Sequence, residues 1–199
     1  MEVEEAIKVL GSIPPTQILS HGDEMCEVAR KYLIGLDSLL AIDNNPIEPP
    51  VWITIKYKWG PTRYPVYWCQ IVKAEELDCG SLSAVIREIY RSRGVHTLPV
   101  QLILKYPVHI IEHYIAMWRR KGLPVNWIWG NYVYHEVVGV ILDECEMKIY
   151  DPVENSWIKS SGHVERGRVA AIRISGEETC SYLHWENKYI ELNKWHILE

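Results

Sequence analysis

Hydrophobic and polar positions follow two rhythms along this 199-residue chain. From Ser20 to Ile42, apolar residues recur at helical spacing at Met25, Val28, Ala29, Tyr32, Leu33, Leu36, Leu39 and Leu40, with Ser20 or Asp23 as the cap. The Pro14-Pro15 pair separates this helix from an earlier helical stretch. DNNPIEPP (43–50) predicts a loop, and with it the boundary between a helical N-terminal part (1–45) and a core (51–199) within one domain. VWITIKYK (51–58) and YPVYWCQIV (64–72) alternate and predict strands, with WGPTR as the turn between them. A helix from about Asp78 to Arg93 ends at Gly94. TLPVQLILKY predicts a strand, HIIEHYIAMWRRK a helix opened by Pro107, and LPVNWIWGN a loop. YVYHEVVGVILD and MKIYDPV flank the acidic link DECE and predict a β-hairpin, while VERGRVAAIRIS and ENKYIELNKWHIL predict further strands. Helices early and antiparallel strands late define an α+β fold.

Composition narrows the partners more than the fold. A net charge of -5, with basic residues only in short groups such as Arg119, Arg120 and Lys121, speaks against nucleic acid and anionic membrane. MEVEEAIKVLG is acidic and lacks an apolar signal region, and no apolar run has the length of a transmembrane helix. Five cysteines at irregular spacing fit a reducing cytoplasm better than a disulfide framework. The expectation is a cytoplasmic protein. The aromatic content consists of 9 Trp and 12 Tyr with no Phe. Most of these rings are expected to fill the core, with Trp59, Trp68, Trp127 and Trp129 as the candidates for lining a substrate groove.

The helix DCGSLSAVIREIYRSRG carries the first piece of chemistry. Leu82, Val85, Ile86 and Ile89 form its apolar stripe, and Cys79 lies one turn before Leu82 on the same face. A thiol there meets the unpaired N–H groups and positive dipole end of a helix, which favour the thiolate and lower its pKa. Gly80 leaves the backbone open to a substrate carbonyl. His135 stands near the start of its strand and Asp151 at the end of the partner strand, with Pro152 closing that strand. A hairpin of this length sets Asp151 beside the imidazole, leaving the second ring nitrogen for the thiol proton.

Cys79 opening a helix that closes in R-x-x-G-V, then a histidine strand, then Y-D-P, resembles the transglutaminase-like branch of the papain-type cysteine enzymes over roughly residues 66–158. The chain differs from that pattern at Val137, where the family often has an aromatic residue, and in the helix HIIEHYIAMWRRK placed between the cysteine and the histidine. The resemblance implies a nucleophile-bearing helix packed on an antiparallel sheet. It also implies Cys79 as nucleophile, His135 as general base and then acid, and Asp151 as the orienting carboxylate. The family spans peptidases, protein cross-linkers, deamidases, acyl transferases and inactive members. The expected reaction is therefore thiol-dependent acyl transfer or hydrolysis at an amide or ester of a peptide, protein or small acyl substrate, without a cofactor. An oxyanion donor is also required: the Cys79 N–H by default, with Gln70 or Trp68 on the preceding strand as side-chain candidates.

Two alternatives remain. HIIEH has the H-x-x-E-H order of one class of zinc peptidase. His109, Glu112 and His113 share a helix face, and Glu178, Glu186 or Glu191 would have to supply a third ligand. A polar face of His and Glu is also what a solvated helix presents, and no metal is expected there. The second alternative is a non-catalytic binding protein that uses its tryptophan-rich surface. His21, His96, His163, His184 and His196 show no metal-ligand spacing, and Glu136 and Asp143 are expected to face solvent.

Overall fold

The first helix, α1 (Glu2–Leu10), turns Val3, Ala6 and Leu10 inward against Ile103, Tyr132, Tyr134, Ala170 and Ala171 of a large sheet. The computed structural model describes residues 2–20, 22–41, 45–143, 145–160, 163–164 and 167–198. After β1 (Ile18–Leu19) comes α2 (Glu24–Leu40), capped by Asp23, whose carboxylate accepts the Met25 N–H at 2.9 Å. The helix is where the periodicity puts it, but its buried side is not. Cys26, Leu33 and Asp37 are buried and Ala29 and Leu36 half-buried, whereas Met25, Val28, Tyr32, Leu39 and Leu40 are exposed. Arg93 draws Asp37 inward with a two-pronged bond of 2.6 and 2.7 Å, and the Trp52 indole donates to the same carboxylate. Of the 43–50 loop, Asp43 and Asn44 lie outside the described residues; Ile47 accepts a bond from Tyr90 at 2.9 Å and Glu48 one from Arg93 at 2.6 Å.

The next segment departs from its alternating pattern. VWITIK forms a helix, α3 (Val51–Lys56), and only the following β2 (Lys58–Trp59) is extended. Ile53 and Tyr57, four residues apart, are the buried pair, and Ile55 is 80% exposed, so the burial period is helical rather than two. Likewise the expected strand 64–72 shrinks to β3 (Val66–Tyr67) followed by the single turn α4 (Trp68–Ile71). The Gln70 side chain accepts the Tyr67 N–H at 3.2 Å, closing the start of that turn.

From here the expected order holds. β4 (Glu76–Leu77) leads into α5 (Cys79–Ser92), and then come β5 (Thr97–Lys105), α6 (Val108–Arg120) and β6 (Ile128–Trp129). β7 (Tyr132–Ile141) and β8 (Met147–Asp151) form the predicted hairpin. The chain continues through β9 (Ser156–Ile158), β10 (His163–Val164) and β11 (Gly167–Ile174) to the hairpin of β12 (Tyr182–Trp185) and β13 (Lys188–Glu191), and β14 (His196–Ile197). The main sheet runs β10-β11-β5-β7-β8-β9, with β14 paired to β11 and β6 to β7, and every pairing in it is antiparallel. The fold mixes helix (34%) and strand (30%) as an α+β protein does. One core lies between the sheet and α2, α4 and α5, and a second between the sheet and β12–β13, where Trp185 is fully buried and donates to the Ile158 carbonyl.

Among the described residues no helix is long and apolar enough to cross a membrane. The cysteines depart from expectation in one respect. Cys145, at the β7–β8 turn, and Cys180, ahead of β12, are joined in a disulfide with their Cα atoms 5.9 Å apart, leaving Cys26, Cys69 and Cys79 free. The two partners are far apart in sequence, so spacing alone does not reveal the bond.

Candidate active site

Backbone accounting explains how Cys79 and His135 meet. β8 pairs with β7 only from Val138 to Ile141, because Pro152 follows Asp151 and ends the ladder. The N–H and C=O of Glu136 are therefore beyond its reach. α5 fills the gap: the Ser83 hydroxyl donates to the Glu136 carbonyl at 2.8 Å, and the Glu136 backbone N–H lies toward the Cys79 sulfur. This docks the first turn of α5 against the start of β7 and sets the Cys79 thiol beside the His135 ring. Continuing the β7–β8 register places Asp151 level with Val137, so His135 is its diagonal neighbour. His135 Nε2 donates to Asp151 Oδ2 at 2.8 Å, which leaves Nδ1 for the thiol. Asp151 Oδ1 accepts the Val153 N–H at 2.8 Å, so one carboxylate both orients the ring and caps the turn after β8. The structure thus brings Cys79, His135 and Asp151 together.

The electrostatics differ from the expected lowered thiol. Burial pushes Cys79 up from its ordinary value, the neighbouring His135 ring pulls the other way, and the adjacent Asp78 adds to the rise. Burial is the main reason, and the cap adds to it. Asp78 occupies the end of α5, taking the Ser81 N–H at 2.8 Å, so a carboxylate already answers the dipole that would otherwise favour a thiolate. Burial also opposes charging His135, but Asp151 and Cys79 outweigh it and hold the ring well above the usual imidazole value. Cys79 itself keeps part of its surface open to solvent.

Two residues that carry no local signal complete the surroundings. Thr16, just after the proline pair, lies across α5: a Cβ on Gly80 would sit 2.1 Å from its hydroxyl oxygen. Gly80 is thus needed for the packing of Thr16, and the space in front of it is filled by the chain itself, not left open to a substrate. Tyr64 donates to Asp78 at 2.9 Å, and burial pushes its phenol up. Thr62 Oγ1 accepts the Asp78 N–H at 2.8 Å. A cleft of about 420 Å³ runs along this loop, lined by Thr62, Tyr64, Tyr67, Gln70 and Leu77 among others. Of the suggested oxyanion residues, Gln70 lines that cleft while capping α4, and Trp68 is buried in the core.

Glu136 is a correction. Instead of facing solvent it is fully buried, accepting the Thr16 N–H at 2.9 Å and the Tyr134 hydroxyl at 3.2 Å, with Arg87 3.3 Å away; Asp143 is exposed as expected. Trp59, Tyr114, Trp118 and Trp127 pack ring against ring between β2 and α6, with centroids 4.6 to 6.1 Å apart along the chain of contacts. Trp129 stacks on Tyr132.

α6 turns Ile111 and Trp118 inward and leaves His109, Glu112 and His113 exposed, and the described residues hold no group of three or more metal-ligating side chains. The glutamates suggested as a third ligand are engaged elsewhere: Glu178 with His96, Glu186 with the Ser160 N–H, and Glu191 with Lys194. The His184 ring pairs with Glu146 and stacks on Tyr189, and His196 bonds the Glu191 carbonyl. His21 lies outside the described residues, as does the His163 side chain. The purified protein is expected to carry far less than one zinc per chain, and His113→Ala to leave its melting temperature unchanged. One zinc per chain by elemental analysis, lost on that substitution, would restore the metal reading.

Compared with protein-family models, with curated proteins and with solved structures, the chain finds no match in any of the three.

Proposed function

We propose that this protein is a cysteine-dependent enzyme of the transglutaminase-like, papain-type kind, performing acyl transfer or hydrolysis at an amide or ester. The observation that supports it is the convergence of a thiol, an imidazole and a carboxylate from α5, β7 and β8, with His135 Nε2 committed to Asp151 at 2.8 Å and the thiol beside the same ring. In the proposed reaction the Cys79 proton passes to His135 Nδ1 and the sulfur attacks the carbonyl carbon of a peptide, protein or small acyl substrate. The oxyanion forms beside the Cys79 N–H. His135 then gives its proton to the departing nitrogen or oxygen, leaving a thioester on Cys79. Water or an amine attacks the thioester, with the neutral ring taking a proton from it, and the thiol is restored. Every proton is accounted for by the two side chains, and the route uses no cofactor.

An activated ester tests this. With p-nitrophenyl acetate, the protein is expected to release a burst of about one nitrophenolate per chain and to gain an acetyl group on the Cys79 peptide. Cys79→Ala should show neither. Acetylation spread evenly over Cys26, Cys69 and Cys79, or absent, would defeat the proposal and leave a binding protein on this scaffold.

A further inference from the structure

Two further thiols meet away from this site. Cys26 lies in the first turn of α2 and is fully buried; Cys69 is the second residue of α4 and is half-buried. In the shared core the side chain and backbone of Cys69 lie beside the Cys26 sulfur. The two helices pack in the same core, among Leu33, Trp68 and Ile71. Of the remaining cysteines, Cys79 lies beside His135 and Cys145 is bonded to Cys180.

We propose that Cys26 and Cys69 are a redox dithiol that closes to an intramolecular disulfide by exchange with a low-molecular-weight disulfide. Exposure sets the order. The Cys69 thiolate, reachable from solvent, attacks one sulfur of the small disulfide, whose S–S bond breaks and releases one small thiol. The Cys26 thiolate then attacks the Cys69 sulfur, displacing the second small thiol. Two protein thiols are oxidised, one small disulfide is reduced to two thiols, and no other oxidant enters. Closure ties α2 to the segment directly after the 61–67 loop, whose Thr62 and Tyr64 hold Asp78 at the start of α5. A bridge closing a loop of about 40 residues should raise the melting temperature by roughly 10 °C.

The test incubates the full chain with glutathione disulfide, blocks the remaining thiols with N-ethylmaleimide, and maps non-reduced peptides by mass. The expected product is the Cys26 peptide joined to the Cys69 peptide, with the melting temperature raised and both effects reversed by dithiothreitol. Cys26→Ser should stall with glutathione on Cys69, and Cys69→Ser should leave Cys26 unmodified. If Cys26→Ser does not fold, the parent and Cys69→Ser decide. A parent protein that stalls with glutathione on Cys69 would overturn the proposal. So would an unmodified Cys69, or a bridge from either thiol to Cys79.

Discussion

Asp151→Asn is expected to slow alkylation of Cys79 at pH 7 by roughly 100-fold while costing only about 1 kcal/mol of stability. The reason lies in the two oxygens of this carboxylate. Oδ2 accepts from His135 Nε2 at 2.8 Å and Oδ1 accepts the Val153 N–H at 2.8 Å. Asn has one acceptor for these two donors. If its oxygen serves Val153, its NH₂ faces Nε2, which must then be unprotonated. The ring proton moves to Nδ1, where it points at the thiol and cannot receive the thiol's proton. If the amide flips, an N–H faces an N–H at Val153 and the turn loses its cap. When thiol and imidazole share one proton, Asp151 biases it toward the ring. Without that bias the pair stays neutral and the thiolate appears only at the alkaline end, where burial has pushed it. The alkylation profile of the variant should therefore lie at higher pH. The stability effect has a sign as well. A ring whose folded pKa is raised contributes stability that is fully present below about 6.5 and fades as pH rises through the folded value. The gap in melting temperature between parent and variant should narrow toward alkaline pH. A variant that melts early at every pH while its thiol reacts as in the parent would reduce Asp151 to a turn cap.

The parts legible from sequence are those where local pattern and long-range packing agree. α5, β5, α6 and the β7–β8 hairpin have strong periods and clear breakers, and because the hairpin sets which residues face each other, His135 and Asp151 could be paired without a structure. α3 could not be read, because VWITIK alternates in composition while its burial falls on Ile53 and, beyond its end, Tyr57; only the neighbouring core decides which apolar residues are used. On α2 the apolar count misled in the opposite sense. Asp37 takes an inward place because Arg93, far along the chain, supplies its partner, while Leu39 is 83% exposed. The raised thiol pKa was hidden because burial is set by distant packing: a helix start predicts thiolate stabilisation, but burial of Cys79 outweighs it, and Asp78 as the cap adds to the rise. Thr16, Tyr64 and the Cys145–Cys180 bond join segments with no local signature, and Glu136 looks like any exposed carboxylate until Arg87 and Thr16 are placed against it.

That buried carboxylate leads to the largest expected loss of stability. Arg87→Met should destabilise the protein by about 3–5 kcal/mol, the range for removing one partner of a buried pair. Glu136 is fully buried, and burial pushes its carboxyl up while Arg87 pulls it down. With the guanidinium gone, the Thr16 N–H and Tyr134 hydroxyl are the remaining donors to a charge away from water. The carboxylate escapes the penalty by taking a proton, so its folded pKa rises further above the unfolded value of about 4.3. The penalty is absent below that unfolded value and grows as pH rises toward the folded one. Urea midpoints should thus separate parent and Arg87→Met far more at pH 8 than at pH 5. Arg87→Met with Glu136→Gln should recover most of the loss, since the amide oxygen still accepts from Thr16 and no buried charge remains. The same network reaches the site, because the Glu136 carbonyl holds Ser83 of α5 in place, one turn from Cys79. Alkylation of Cys79 should fall in Arg87→Met and return in the double variant. Single and double variants that unfold alike at both pH values would mean that Glu136 and Arg87 carry no charge coupling, and that Arg87 serves α5 through its bond to the Thr16 carbonyl alone.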